Sequence, residues 1–340
     1  MTEALLSVRD LVHEFHTKGG IVQAVSGVSF DVRPGETLGI VGETGSGKST
    51  LARSVLQAPR PTSGEVIFRG TDLTTLRGTR LLQARRHLQM VFQDPFGSLD
   101  PKWTVGDLVE EPLIAYKTGR KNERRQRVDE VLELVGLDTA SHGRRRPREL
   151  SGGQAQRVAI ARAIALNPAL IICDEAVSSL DVLIQAQVLN LFERLRTELG
   201  LSYLFIAHDL ALVKQVSDRV AVMYLGKLCE AGPGESVYRE PLHPYTRALL
   251  DSVPSTDQHS TDNTTKRAPT TISGEPPSPI DPPSGCRFRT RCPRAAEVCA
   301  AEEPPMRELA TGHTVACHFP LVEAARTTVR SDEKIEGTPR

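Results

Sequence analysis

Nine consecutive residues, Gly42 to Thr50 (GETGSGKST), constrain this chain more than any other stretch. The apolar run Thr37-Leu38-Gly39-Ile40-Val41 ahead of them predicts a buried strand, and Leu51 to Leu56 behind them predicts a helix. Strand, glycine loop and helix together are the setting in which Gly-x4-Gly-Lys-Ser holds phosphate. Glycines let the backbone curl until successive N–H groups point inward at anionic oxygens, and the helix N-terminus adds a favourable dipole. In such a loop Lys48 reaches the outer phosphates and the Ser49 hydroxyl ligates magnesium.

The whole chain sets the outer limits. Its 340 residues suggest one large domain and one small one. With 42 basic and 42 acidic residues, net charge gives no reason to expect a nucleic-acid partner. No apolar run approaches the ~18 residues of a membrane span, and no charged segment followed by an apolar one opens the chain, so a cytoplasmic protein is expected. Aromatic residues are 4% of the total, so the core must be aliphatic. Cys173 and Cys229 lie in apolar segments and read as small buried hydrophobes, whereas Cys286, Cys292, Cys299 and Cys317 cluster near the end.

Alternation from Leu6 to Val12, a Gly19-Gly20 break and a second run to Val32 predict antiparallel strands ahead of the loop. Phe15, in this region, can either stack on a purine or fill the core. Further strands are expected at Ser63 to Phe68 and at Leu88 to Phe92, the latter ending at Gln93. Helical periodicity dominates from about 104 to 165, and strands resume at Ala169 to Cys173, Ser202 to Ala207, Val220 to Tyr224 and Leu228 to Ala231. Helices are expected at Val182 to Leu199 and Asp209 to Val216. The alternation predicts an α/β sheet with a helical insert. Residues 251–283 read as a linker, 284–320 as a small cysteine-bearing module and 321–340 as a disordered tail.

Phosphate chemistry needs a carboxylate near the loop. Asp174, at the end of an apolar strand, is placed to hold magnesium, and Glu175 beside it projects towards the other side. An Asp-Glu pair there can also be a helix cap. Ser151-Gly152-Gly153-Gln154 opens a helix and makes a second anion-seeking N-terminus, or an ordinary capped start. His208, ending the strand after Glu175, suits a general base or a phosphate contact, or a structural histidine.

Taken together, these motifs resemble the ATP-binding cassette ATPases, the motor subunits of ABC transporters, over roughly residues 5 to 250 and in the family's order. The resemblance implies an α/β P-loop NTPase fold with an antiparallel β subdomain and a helical subdomain at about 94–166. It implies ATP contacts from Phe15, from Gly42, Glu43, Thr44, Gly45, Ser46, Gly47, Lys48, Ser49 and Thr50, and from Gln93, Asp174 and Asp181. Magnesium ligands would be Ser49, Gln93 and Asp174; the catalytic set would be Glu175, His208, Gln93 and Lys48. Ser151, Gly152, Gly153 and Gln154 would face the P-loop of a second ATPase subunit, identical or paralogous, which gives the second anion site a use. Ala155 departs from the basic residue many members carry.

Pro241 to Leu250, with Val91 to Pro95 and Cys173 to Ser178, is similar to segments of the oligopeptide/dipeptide permease ATPases, a group that also includes importers of nickel. That likeness implies integral membrane permease subunits, an extracytoplasmic solute-binding protein and a peripheral position on the cytoplasmic membrane face. One alternative is the same ATPase role in an importer of nickel or another small solute; a more distant one is a non-transport ABC ATPase acting on DNA or ribosomes. The cysteine intervals lack the paired spacing of common zinc sites, and Arg287, Arg289, Arg291 and Arg294 could offset an anionic cluster. A four-iron four-sulfur cluster, as the resemblance implies, a zinc ion or free thiols all remain open, the first with a redox-sensitive ATPase as its corollary.

Overall fold

The computed structural model describes residues 3–252 and 274–321. Residues 253–273 of the linker expected at 251–283, and residues 322–340 of the tail expected at 321–340, lie outside them. Strands β1 (Leu6–Thr17) and β2 (Gly20–Val32) form a hairpin turning at Lys18 and Gly19, and β3 (Thr37–Val41) leads through the glycine loop into α1 (Lys48–Val55). After β4 (Ser63–Phe68) and the short β5 (Thr71–Asp72), β1 lies between β2 and β4 in a four-stranded antiparallel sheet. Helix α2 (Gly78–Arg85), which sequence periodicity did not reveal, precedes β6 (Leu88–Val91).

The helical subdomain follows. It contains α3 (Pro95–Ser98), α4 (Val105–Ala115), α5 (Lys121–Leu134), α6 (Thr139–His142) and α7 (Gly152–Ile164). Thr104 caps α4 through a reciprocal exchange with Asp107, which fixes where that helix starts.

The chain then returns to the main sheet with β7 (Leu170–Asp174), α8 (Val182–Leu199), β8 (Ser202–Ala207), α9 (Leu210–Val216), β9 (Arg219–Tyr224) and β10 (Lys227–Pro233). Helices α10 (Gly234–Arg239), α11 (Pro244–Asp251) and α12 (Val298–Ala301), then β11 (Met306–Ala310) and β12 (His313–Ala316), complete the described chain. The sheet order is β11-β12-β10-β9-β3-β8-β7-β6, with β9, β3, β8, β7 and β6 parallel. Every residue of β3, β7 and β8 is buried, as an internal parallel strand covered on both faces requires.

Alternate residues of these strands feed two cores. Leu170, Ile172, Leu204 and Ile206 pack with Leu51 and Val55 of α1; Ile171, Cys173, Tyr203 and Phe205 pack with α7 and α8. The phosphate loop therefore rests on a helix and a strand that are each locked into the interior.

The expected cysteine module is built onto this core. Strand β12 pairs with β10 and lengthens the main sheet, while Phe288 packs edge-on against Tyr224 at 5.2 Å and against Tyr245. A short segment with too little apolar mass of its own gains a core by borrowing one.

Candidate nucleotide site

Backbone geometry makes the loop. Gly47 caps α1 with φ 100°, in the left-handed region, and a Cβ there would sit 2.0 Å from the Ala24 carbonyl oxygen. Only glycine allows that approach of loop to β2. Lys48 is buried, and its amine donates to the carbonyls of Gly42 (2.7 Å) and Glu43 (2.9 Å) and to Ser46 Oγ. Burial pushes its pKa down, against the pull of Glu175, Asp174 and Glu43.

Ser49 Oγ donates to Asp174 Oδ1 at 2.7 Å. Asp174 is buried, and desolvation raises its pKa despite that hydrogen bond. Beside it, Glu175 has φ 50°, held there by its N–H donating to the Ile206 carbonyl at 2.9 Å. Gln93 Nε2 donates to Glu175 Oε2 at 2.9 Å, and His208 Nδ1 stands 3.5 Å from the same oxygen. Gln93 and His208 lie just beyond the ends of β6 and β8, the strands flanking β7, so the parallel sheet delivers all three side chains to one edge.

Gly47, Lys48, Ser49, Gln93, Glu175 and His208 line a cleft of about 630 Å³, together with Phe15, Thr44, Gly45 and Thr50, while Asp174 stands behind Ser49 and Gly42, Glu43 and Ser46 shape the loop without lining the cleft. Phe15 is half exposed, its ring 4.6 Å from that of His13. Ser178, the last residue of the Cys173 to Ser178 segment, also lines the cleft, as do Val22, Ala24 and Pro279, which no sequence motif marks. Glu43 is fixed from outside the loop: its N–H donates to Tyr245 Oη at 2.9 Å, and Arg291 holds its carboxylate with both terminal nitrogens, at 2.8 and 3.2 Å. No local signal in the sequence joins residues so far apart.

Ser151, Gly152, Gly153, Gln154 and Asp181 do not join this cleft. Ser151 caps α7, accepting from Gln154 N at 3.3 Å while its own N–H donates to Gln154 Oε1. Its side is exposed, and Asp181 caps α8 through Ile184 N. Ala155 is fully buried on the core side of α7, so the departure there lies away from that helix's exposed N-terminus.

The magnesium ligands expected at Ser49 and Asp174 fit that role, since their oxygens already converge, whereas Gln93 is engaged by Glu175. The cysteines differ. All six are free thiols, and among the described residues no group of three or more His, Cys, Asp or Glu is arranged to hold a metal ion. The iron–sulfur or zinc expectation at Cys286, Cys292, Cys299 and Cys317 therefore gains no support from the arrangement. Burial instead raises the thiol pKa values of Cys286 and Cys292 and takes Cys317 up to about 11, and Phe288 joins the segment to the main core.

Fold and site together define a P-loop nucleotide-binding protein with a helical insert. Residues 25–178 match the ABC transporter family model, and residues 229–299 match the oligopeptide/dipeptide transporter C-terminal region. The oligopeptide transport ATP-binding protein AppF of Bacillus subtilis is 48% identical over 93% of this chain and 98% of its own length. A putative peptide import ATP-binding protein of Brucella ovis is also 48% identical, over 93% and 98%. Among solved structures, the ATP-binding cassette MJ0796, dimeric and bound to ADP and Pi, superposes with a TM-score of 0.61 at 30% identity over 67% of this chain and 98% of its own. CbiO1 of Clostridium perfringens, part of the ABC transporter complex CbiONQ, gives 0.63 at 28% over 70% and 92%. The chain belongs to the ATP-binding proteins of ABC transporters, in the group that carries the oligopeptide/dipeptide C-terminal region.

Proposed function

We propose that this chain is the ATP-hydrolysing subunit of an importer of oligopeptides or dipeptides. The observation that carries the reading is the meeting of Glu175, Gln93 and His208 beside the phosphate loop. On binding, the triphosphate replaces the loop carbonyls as partner of the Lys48 amine. Ser49 and Asp174 would hold a magnesium ion, whose charge would offset that of the phosphates. Water then bonds to the γ-phosphorus as the bond to the β–γ bridging oxygen breaks; its proton passes to a Glu175 carboxylate oxygen, and ADP and phosphate leave. Gln93 and His208 keep that carboxylate turned into the cleft.

The exposed N-terminus of α7 completes the site from a second ATPase subunit, whose own P-loop it faces in return. The dimeric state reported for MJ0796 supports this. A groove of about 490 Å³ beside Gln93, edged by exposed Phe92 and by the Arg162–Glu111 ion pair, suits a permease subunit docked from the membrane. Among the described residues no helix is long and apolar enough to cross a membrane. In this reading the chain works at the cytoplasmic face through its partners, as its peptide-import relatives' role as ATP-binding proteins suggests, with solute delivered by an extracytoplasmic binding protein. The peptide assignment follows the functions given to AppF and the Brucella relative.

Reconstitution with the permease subunits should give ATP-dependent peptide accumulation in vesicles. Glu175→Gln should keep ATP binding and lose at least about 100-fold in turnover. Undiminished hydrolysis by that variant would overturn the catalytic assignment, and a stable complex with ribosomes and none with membranes would overturn the transport one.

A further inference from the structure

A segment of the C-terminal region lies against the mouth of the nucleotide cleft. The Pro279 carbonyl accepts from Gln23 N at 3.0 Å, and Gln23 follows Val22, the cross-strand partner of Phe15. Pro279 thus sits beside the aromatic end of the cleft and lines it. Ile280 packs on the hairpin turn so closely that a Cβ on Gly20 would meet its Cγ2 at 2.8 Å. Beyond it, Arg287 Nη2 donates to Gln23 Oε1 at 2.6 Å, and Arg291 grips Glu43 at the phosphate end. The strap is therefore pinned at Gln23, at Gly20 and at the loop, with Pro279 held over the opening.

We propose that Pro279 is a base-contacting residue, closing the aromatic end of the cleft with Phe15 so that the purine of bound ATP packs against the proline ring. A proline suits the position. It presents an apolar ring face with little conformational freedom to lose, and it needs no N–H where its carbonyl is the bonded group. The phosphates, held by Lys48 and Ser49, are indifferent to it. The proposal rests on ATP being the ligand of this cleft.

The test compares ATP with inorganic tripolyphosphate, which carries the phosphates and no base, by calorimetry with magnesium on the full chain. Pro279→Ala, which keeps the carbonyl, should weaken ATP about three- to tenfold and leave tripolyphosphate unchanged. Ile280→Ser, which loosens the strap without touching the base, should shift ATP the same way. Unaltered ATP affinity in both variants, or equal weakening of both ligands, would overturn the proposal and leave the strap as a brace for the hairpin. Wild-type protein that bound tripolyphosphate but gained nothing from the base would overturn it too, and one that bound neither ligand would overturn the nucleotide reading beneath it.

Discussion

The hydroxyl of Ser49 donates a 2.7 Å hydrogen bond to the carboxylate of Asp174, across 125 residues of chain. Two oxygens that a divalent cation needs are thus already together, one from the first turn of α1 on the cleft wall and one from the end of β7 just behind it. Asp174→Asn and Ser49→Ala should each lower magnesium-dependent ATP affinity by about tenfold or more, since each removes one oxygen donor. Chelation of magnesium should abolish turnover in the wild type. Titration of ATP with and without EDTA checks both, and equal affinities in the two conditions would count against this cation site.

Ser151 caps its helix on the exposed side of the molecule while Lys48 lies in the cleft. A facing subunit makes one consequence measurable. Lys48→Ala and Ser151→Arg should each be nearly inactive alone, yet a mixture should recover part of the wild-type rate, because a mixed pair contains one site with both residues intact. If mixing restored nothing while each variant remained folded and paired, the shared site would be wrong. Ser151→Ala is the milder control, costing about 1 kcal/mol as a lost helix cap.

His243 caps α11 by accepting from Tyr245 N at 3.0 Å, in the interior beside Glu230. The Glu230 carboxylate also faces the N–H groups of Leu242 and His243 and the ring of His313. Burial holds the His243 imidazole at about 4, below its ordinary 6.5, with Glu230 pulling the other way. As pH falls from 6.5 towards 4, the unfolded chain binds a proton that the folded chain refuses, so stability declines; above 6.5 this group makes no difference. The loss should reach about 3 kcal/mol. His243→Asn keeps a capping acceptor and should remove that part of the slope, as urea unfolding at pH 7 and pH 4.5 would reveal. Identical slopes for both proteins would contradict it.

Much of this fold is visible along the chain because its signals are local. Apolar runs fully buried in β3, β7 and β8 mark internal parallel strands, and helix α8 lies where its periodicity puts it. Helix α2 was missed, and its exposed face explains why: only Leu81 is buried, too little for an apolar stripe. Strands β11 and β12 were missed for a related reason. All of β11 is exposed, and β12 gains its burial by joining β10 rather than from its own pattern.

By itself, the sequence determined the loop, the residues that end strands beside it and the cap that opens α7, since glycine φ freedom, strand alternation and Ser-x-x-Gln capping each act within a few residues. Only the tertiary structure decided what meets what: Ser49 with Asp174, Glu43 with Arg291 across 248 residues, and Pro279 with the Phe15 end of the cleft. Those meetings depend on the order in which buried strands pair. That order is settled by packing the whole apolar surface at once, which no short window of residues contains.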